Sequence, residues 1–314
     1  MPPTRLQTTD RILMVRPAAF AFNVEAAATN AMQMRPDDDA AAIHAAASDE
    51  FDSLLRALRS EGVRVSVAED TPSPAKPDAI FPNNWVSFHA DGTVVLYPMQ
   101  TPSRRAERRP ELIALAAGEL GFNVSRTLDL SGHEREGRYL EGTGSLVLDH
   151  PGRRAYACRS ARTDPELVRA WCEQLGYEPE IFTANDAAGR AYYHTNVMLS
   201  IGDRWAVICA ESIAEADRER VLDALRASGR EVLAITREQV RRFVGNVLEV
   251  ATWDEAMGDS RVLVMSATAR EALGAPLYSR LAAMVDSILA VPVPTIERVG
   301  GGGVRCMMAE VFAS

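Results

Sequence analysis

Amphipathic runs that end in glycine recur along the chain, and each glycine leads into a β-rich segment. The runs close at Arg59-Ser60-Glu61-Gly62, Gly118-Glu119-Leu120-Gly121, Glu173-Gln174-Leu175-Gly176 and Arg226-Ala227-Ser228-Gly229. Glycine just past a last helical turn takes the left-handed conformation at no steric cost, so each marks a helix C-terminus. The strands that follow are read at Val63 to Val67, Phe122 to Ser125, Tyr177 to Phe182 and Glu231 to Ile235. Pairs of short apolar strands around a turn form the other part of the pattern: Ile80 to Phe88 with Thr93 to Tyr97, Ser145 to Leu148 with Ala155 to Cys158, and Val197 to Ile201 with Trp205 to Cys209. Val247 to Val250 with Arg261 to Met265 makes a fourth pair.

The closing glycines are 59, 55 and 53 residues apart, and the repeated unit is strand, turn, strand, helix, strand. A fifth unit can be assembled from Cys306 to Val311, Arg11 to Val15 and the helix ending at Gly62. Fixed-period self-similarity of this kind marks repeat and propeller architectures. The expectation is a five-bladed α/β propeller in which residues 1–314 form a single pseudo-fivefold catalytic domain. An open, parallel α/β sheet is the competing organisation, but paired short strands ahead of a helix point to hairpins.

Composition narrows the class of partner. With 47% hydrophobic and 25% charged residues over 314 positions, the chain can bury a sizeable core. A net charge of −9 argues against nucleic acid or an anionic membrane, both of which need clustered cations, and favours a small solute. Met1 to Arg11 carries no apolar leader-like core and no run reaches spanning length, so a cytoplasmic location is expected. Cys158, Cys172, Cys209 and Cys306 show neither Cys-x-x-Cys pairing nor zinc spacing, and neither a metal nor a cofactor is expected.

The candidate chemistry follows the repeat. Polar residues stand where the first strand of a unit begins: Asn83-Asn84, Glu141, His194 and Cys306. The spacings of 53 from Glu141 to His194 and 112 from His194 to Cys306 match one and about two units, so a ring would bring all four toward one axis. Cys306 follows the run Gly300 to Gly303 and adjoins Arg305, a setting suited to a thiol that must act as thiolate. Cysteine, histidine and carboxylate together supply a nucleophile, a base and an orienting group for covalent catalysis.

Motifs in a fixed order carry a family resemblance: Pro77-Asp78-Ala79-Ile80-Phe81-Pro82-Asn83-Asn84-Trp85, Pro102-Ser103-Arg104-Arg105, Leu140-Glu141-Gly142-Thr143-Gly144, Ser160-Ala161-Arg162-Thr163, His194-Thr195-Asn196 and Gly303-Val304-Arg305-Cys306-Met307. With these the chain resembles the guanidino-group modifying enzymes of the pentein superfamily, and among them the citrulline hydrolases most. The resemblance implies that Cys306 attacks a guanidino or ureido carbon, that His194 protonates the leaving amine and later activates water, and that Glu141 grips a substrate nitrogen and orients His194. It also implies Arg162 as a clamp for the substrate α-carboxylate, Arg104 as a second contact at that end, Asp78 as acceptor of the α-amino group, and a homodimer.

Asn23, in a segment that resembles the family's substrate-proximal loop, is read as a substrate contact or as an N-cap. Arginine deiminases place aspartates where this chain has Asn84 and Asn196. An amide suits a neutral ureido group and a buried carboxylate suits a cation, so citrulline is the expected substrate and ornithine, ammonia and carbon dioxide the products. The alternatives are an arginine deiminase or dihydrolase, a dimethylarginine hydrolase, an amidinotransferase, or a noncatalytic propeller that only binds.

Overall fold

Among the described residues, fifteen strands pair as five separate sheets of three. The computed structural model describes residues 6–254 and 258–312; the first five positions of the Met1 to Arg11 segment, read above for a leader, lie outside them. Strand β1 (Arg11–Arg16) is followed by the Ala40–Ser60 helix and β2 (Arg64–Glu69). The next units contribute β3 (Val86–Phe88), β4 (Thr93–Leu96) and β5 (Arg126–Asp129), then β6 (Val147–Asp149), β7 (Arg154–Cys158) and β8 (Glu178–Phe182). After them come β9 (Leu199–Ile201), β10 (Trp205–Ile208) and β11 (Glu231–Ala234), then β12 (Leu248–Asp254), β13 (Gly258–Ser266) and β14 (Ser287–Val291), and finally β15 (Ala309–Glu310).

Every sheet is built alike. A hairpin pairs the first two strands antiparallel, and a crossover helix returns the third parallel to the second, as in Ser87↔Val95 and Val95↔Leu128. The fifth sheet follows the same plan across the whole sequence: β15 pairs antiparallel with β1, which pairs parallel with β2, so Ile12 faces both Glu310 and Val65. A parallel bridge from Phe88 to Val311 links this sheet to the first. This is the expected five-unit α/β propeller.

Local sequence explains the elements. Gly121 and Gly176 end their helices in the left-handed conformation, at φ +64° and +68°, as the helix-stop pattern requires. Asp39 and Asp164 cap the N-termini of the Ala40–Ser60 and Pro165–Leu175 helices by accepting from two backbone N–H groups each. The helices turn Phe51, Leu54, Leu58, Trp171 and Val221 fully inward against the sheets.

Three boundaries differ from the sequence pattern. The third strand of the β3–β5 sheet starts at Arg126 instead of Phe122, because Phe122 packs edge-on against Phe88, with ring centroids 5.3 Å apart, before the strand begins. The first strands are shorter than read: Pro82–Asn84 and Gly142–Ser145 are helical turns that precede β3 and β6. The β12–β14 sheet also has a crossover helix, Ala275–Ala282, and a third strand that the glycine pattern did not reveal. Among the described residues no helix is long and apolar enough to cross a membrane.

Candidate active site

The helical turns that shorten the first strands are what deliver the polar residues. Asn83 and Asn84 lie in the turn Pro82–Asn84, Glu141 caps Gly142–Ser145, His194 caps Thr195–Val197, and Cys306 lies in Val304–Met307. Each turn opens a different sheet, so the fivefold arrangement gathers their side chains at one end of the axis. All five residues are buried.

Close approach of the turns depends on glycine at two positions. Gly142 has φ +46°, and a Cβ there would collide with the carbonyl of Asn83. A Cβ on Gly144 would come within 2.7 Å of both Asn84 Nδ2 and His194 Nδ1.

His194 and Glu141 form the central pair, with Nε2 2.8 Å from Oε2. Arg162 donates to the same Glu141 oxygen at 3.3 Å. Burial works to raise the Glu141 carboxyl, but Arg162, His194 and Arg104 override it and hold the group well below the usual carboxylate range. Burial lowers His194 to about 4 against the pull of Glu141, so the imidazole is neutral at neutral pH.

Arg104 is locked in place. Its Nε and Nη2 each donate to Glu107 at 2.9 Å, and its Nη1 donates to Asn84 Oδ1 at 2.8 Å. Asn84 Nδ2 in turn donates to Asn83 Oδ1 at 3.0 Å. Because a guanidinium only donates, it fixes which end of the Asn84 amide is oxygen. Asn84 therefore gives one of its oxygen's two lone pairs to Arg104 and keeps one N–H beyond the one given to Asn83.

Asp78 accepts from Asn23 Nδ2 at 2.8 Å, while its second oxygen is buried with no partner. Burial raises its carboxyl, opposed by Arg104 and Asn23. Asn23 is the N-cap expected of it, its oxygen accepting at the start of the short Val24–Ala27 helix, while its nitrogen reaches Asp78 rather than the cavity. That segment also covers the site, since Ala26 O and Thr29 Oγ1 accept from Arg162 at 2.8 and 2.9 Å.

Cys306 completes the set. Its Sγ receives the amide nitrogens of Asn196 at 3.6 Å and of Asn246 at 3.3 Å. A narrow cavity is lined by Asp78, Asn84, Arg104, Arg162, His194 and Cys306, with Ala26, Asn30, Phe81, Tyr193 and Gly300 to Gly302 around them. Asn23 and Asn83 stand one layer behind it. Asn196 lies behind the sulfur and lines a separate cavity on the far side of the axis.

Asn246 and Glu107 are the residues that sequence reading missed. Asn246 stands two residues before β12, as Asn84 stands two before β3, and one unit after Asn196, so the repeat itself could have found it. Glu107 carries no such signal beyond its distance of three from Arg104 along the chain. Among the described residues no trio of His, Cys, Asp or Glu side chains converges as a metal site.

A family model for eukaryotic N,N-dimethylarginine dimethylhydrolase matches residues 16–313. The chain belongs to this family. That family lies within the pentein guanidino-modifying superfamily, and solved structures agree on the fold. A cyanobacterial arginine dihydrolase, ArgZ, superposes with a TM-score of 0.74 at 16% identity over 97% of this chain, which spans 41% of that longer protein. The substrate-bound N-terminal domain of ArgZ gives 0.73 at 17% identity over 96% of this chain and 98% of that one. A dimethylarginine dimethylaminohydrolase adduct with S-methyl-L-thiocitrulline gives 0.63 at 15% identity over 96% and 99%. No curated protein matches the dimethylarginine dimethylhydrolase family member described here in sequence.

Proposed function

We propose that the five units of residues 1–314 act as one catalytic domain that hydrolyses the ureido group of citrulline to ornithine, ammonia and carbon dioxide. The observation that carries this reading is the orientation of Asn84, which lines the cavity with its oxygen held by Arg104 and with one N–H beyond the one given to Asn83. A ureido oxygen accepts that hydrogen bond. A guanidinium offers only donors and a positive charge, and would meet N–H with N–H.

The rest of the cavity suits an α-amino acid. The unpartnered oxygen of Asp78 is a seat for an ammonium, and the guanidinium of Arg162 retains N–H groups beyond those given to Thr29, Ala26 and Glu141 for a carboxylate.

In the resting site the Cys306 thiol is raised by burial and the His194 imidazole is neutral. Transfer of the thiol proton to His194 produces both reactants at once. The thiolate attacks the ureido carbon and forms a C–S bond; the bond from that carbon to the δ-nitrogen breaks, and the nitrogen leaves as ornithine with the proton from His194. Glu141 holds the imidazolium through Nε2 while it carries the charge. Water, deprotonated by His194, then attacks the thiocarbamate, freeing the Cys306 sulfur and a carbamate that decomposes to ammonia and carbon dioxide.

The family match favours a second reading, hydrolysis of a methylated arginine. Purified protein incubated separately with citrulline, arginine and N,N-dimethylarginine distinguishes them. Ornithine from citrulline alone, lost in Cys306→Ala, is the expected result. Citrulline formed from either guanidino substrate, with citrulline itself inert, would overturn the ureido assignment.

A further inference from the structure

Cys306 needs charge stabilisation, and its nearest cation acts on it through charge alone, without a hydrogen bond to the sulfur. Arg305 is adjacent in the chain, yet its Nη1 donates to Met308 O at 2.9 Å and its Nη2 pairs with Glu310 at 2.8 Å. The guanidinium is thus committed on the far side of the axis, in the cavity that Glu310 also lines. The titratable and charged groups that share the near cavity with Cys306 are Asp78, Arg104, Arg162, Tyr193 and His194, and no hydrogen bond joins any of them to the sulfur among the described residues. What does touch it is a pair of amides.

Both amides turn their donor ends to the sulfur. Asn246 Nδ2 is 3.3 Å from Sγ and its oxygen 3.8 Å; Asn196 Nδ2 is 3.6 Å away and its oxygen 3.9 Å. A thiol would seek the oxygens, whereas a thiolate is served by the nitrogens. For Asn246 the orientation is fixed independently, because Nδ2 also donates to the backbone carbonyl of Asn196 at 3.0 Å. One amide hydrogen anchors the side chain and the other is left for the sulfur. Gly303 leaves room for this arrangement, since a Cβ there would come within 2.7 Å of Asn246 Oδ1.

We propose that Asn246 is a catalytic residue: with Asn196 it forms a two-amide cradle that stabilises negative charge on Cys306 Sγ, before attack and again when the sulfur is released. The proposal rests on Cys306 being the nucleophile of the reaction above, and it is independent of which substrate is used. Burial raises the thiol, and donation from Asn246 heads the influences that oppose it, followed by the charge of Arg305 and donation from Asn196.

The test is the rate of Cys306 alkylation by iodoacetamide against pH, followed by peptide mass, for wild type, Asn246→Ala and Asn246→Asp without substrate. Loss of one hydrogen bond to a charged group should raise the midpoint by about one to two pH units in Asn246→Ala. Asn246→Asp should raise it further, with the KM for citrulline near that of wild type. If circular dichroism shows Asn246→Ala unfolded, the near-isosteric Asn246→Asp decides alone. An unchanged midpoint in a folded variant overturns the proposal even where wild type makes ornithine. A raised midpoint with no turnover of citrulline by wild type leaves the cradle standing and removes the ureido assignment instead.

Discussion

Replacing Asn84 by aspartate changes one nitrogen to oxygen at a position whose surroundings are fully specified. Arg104 Nη1, 2.8 Å from the side-chain oxygen, stays paired with it. The second carboxylate oxygen would stand where Nδ2 now lies, 3.0 Å from Asn83 Oδ1, and would present an acceptor to the cavity where a donor was. For citrulline, a lost hydrogen bond is joined by two acceptors facing each other, a cost of about 2–3 kcal/mol in transition-state binding, or roughly 30- to 150-fold in kcat/KM. For arginine the same change supplies a charge-assisted hydrogen bond worth about 1.5–3 kcal/mol. The preference for citrulline over arginine should therefore shift by roughly 400- to 25,000-fold. The assay is kcat/KM for each substrate, from ornithine and citrulline formed, on wild type and Asn84→Asp of equal thermal stability. Citrulline turnover within threefold of wild type, or arginine turnover that fails to rise, would refute the reasoning about the amide.

Gly144 has ordinary backbone dihedrals, so Gly144→Ala tests the close approach of Asn84 and His194 alone; small-to-large changes of this kind cost about 1–3 kcal/mol, and kcat should fall at least tenfold, with an undiminished kcat counting against the observed packing. Glu107→Gln removes the nearest carboxylate partner of the buried Arg104 and should lower stability by about 3 kcal/mol in urea unfolding, since the guanidinium then keeps only Asp78 and Glu141 at 3.9 Å. His89 is buried against Ser87, and burial lowers its pKa to about 4. Its folded value lies below the ordinary 6.5, so the stability that depends on its neutral form is complete above pH 6.5 and is lost as pH falls toward 4. Between pH 7.5 and 5 this contributes about 2 kcal/mol of lost stability. His89→Gln should narrow the difference in urea midpoints between those two pH values by that amount, and an unchanged difference would exclude a neutral buried histidine.

Much of the architecture was legible because its punctuation is local. Gly62, Gly121, Gly176 and Gly229 all have positive φ, a backbone demand that glycine meets and that shows directly in the sequence. Glu141, His194 and Cys306 were legible for a related reason, since an internal repeat converts spacing into position around an axis. What stayed hidden depends on contacts between units. The true start of β5 is set by Phe122 reaching across to Phe88, and β14 follows a helix, Ala275–Ala282, whose end bears no glycine. The spare N–H of Asn84 is visible only once Arg104 is seen to claim the oxygen, although both residues were singled out. Asn246 sat at the right interval, but an asparagine before a strand reads as ordinary turn chemistry until a sulfur is found beside it.

The fifth sheet joins β15 to β1 and β2 through the pairing of Ile12 with Glu310, so the strand next to the nucleophile is held by residues made almost a whole chain earlier. During synthesis the first four units can form in order, each from neighbouring sequence, while β1 and β2 wait with one edge open. Cys306 is made after Asn84, Glu141, His194 and Asn246, so the sulfur is the last of these groups the ribosome supplies. A half-made polypeptide has no reactive thiol at this site. By the same logic, a circular permutant that splices the sequence across the β15–β1 junction and opens it between two other units should keep the cavity intact while moving the last step of assembly to a different pair of sheets.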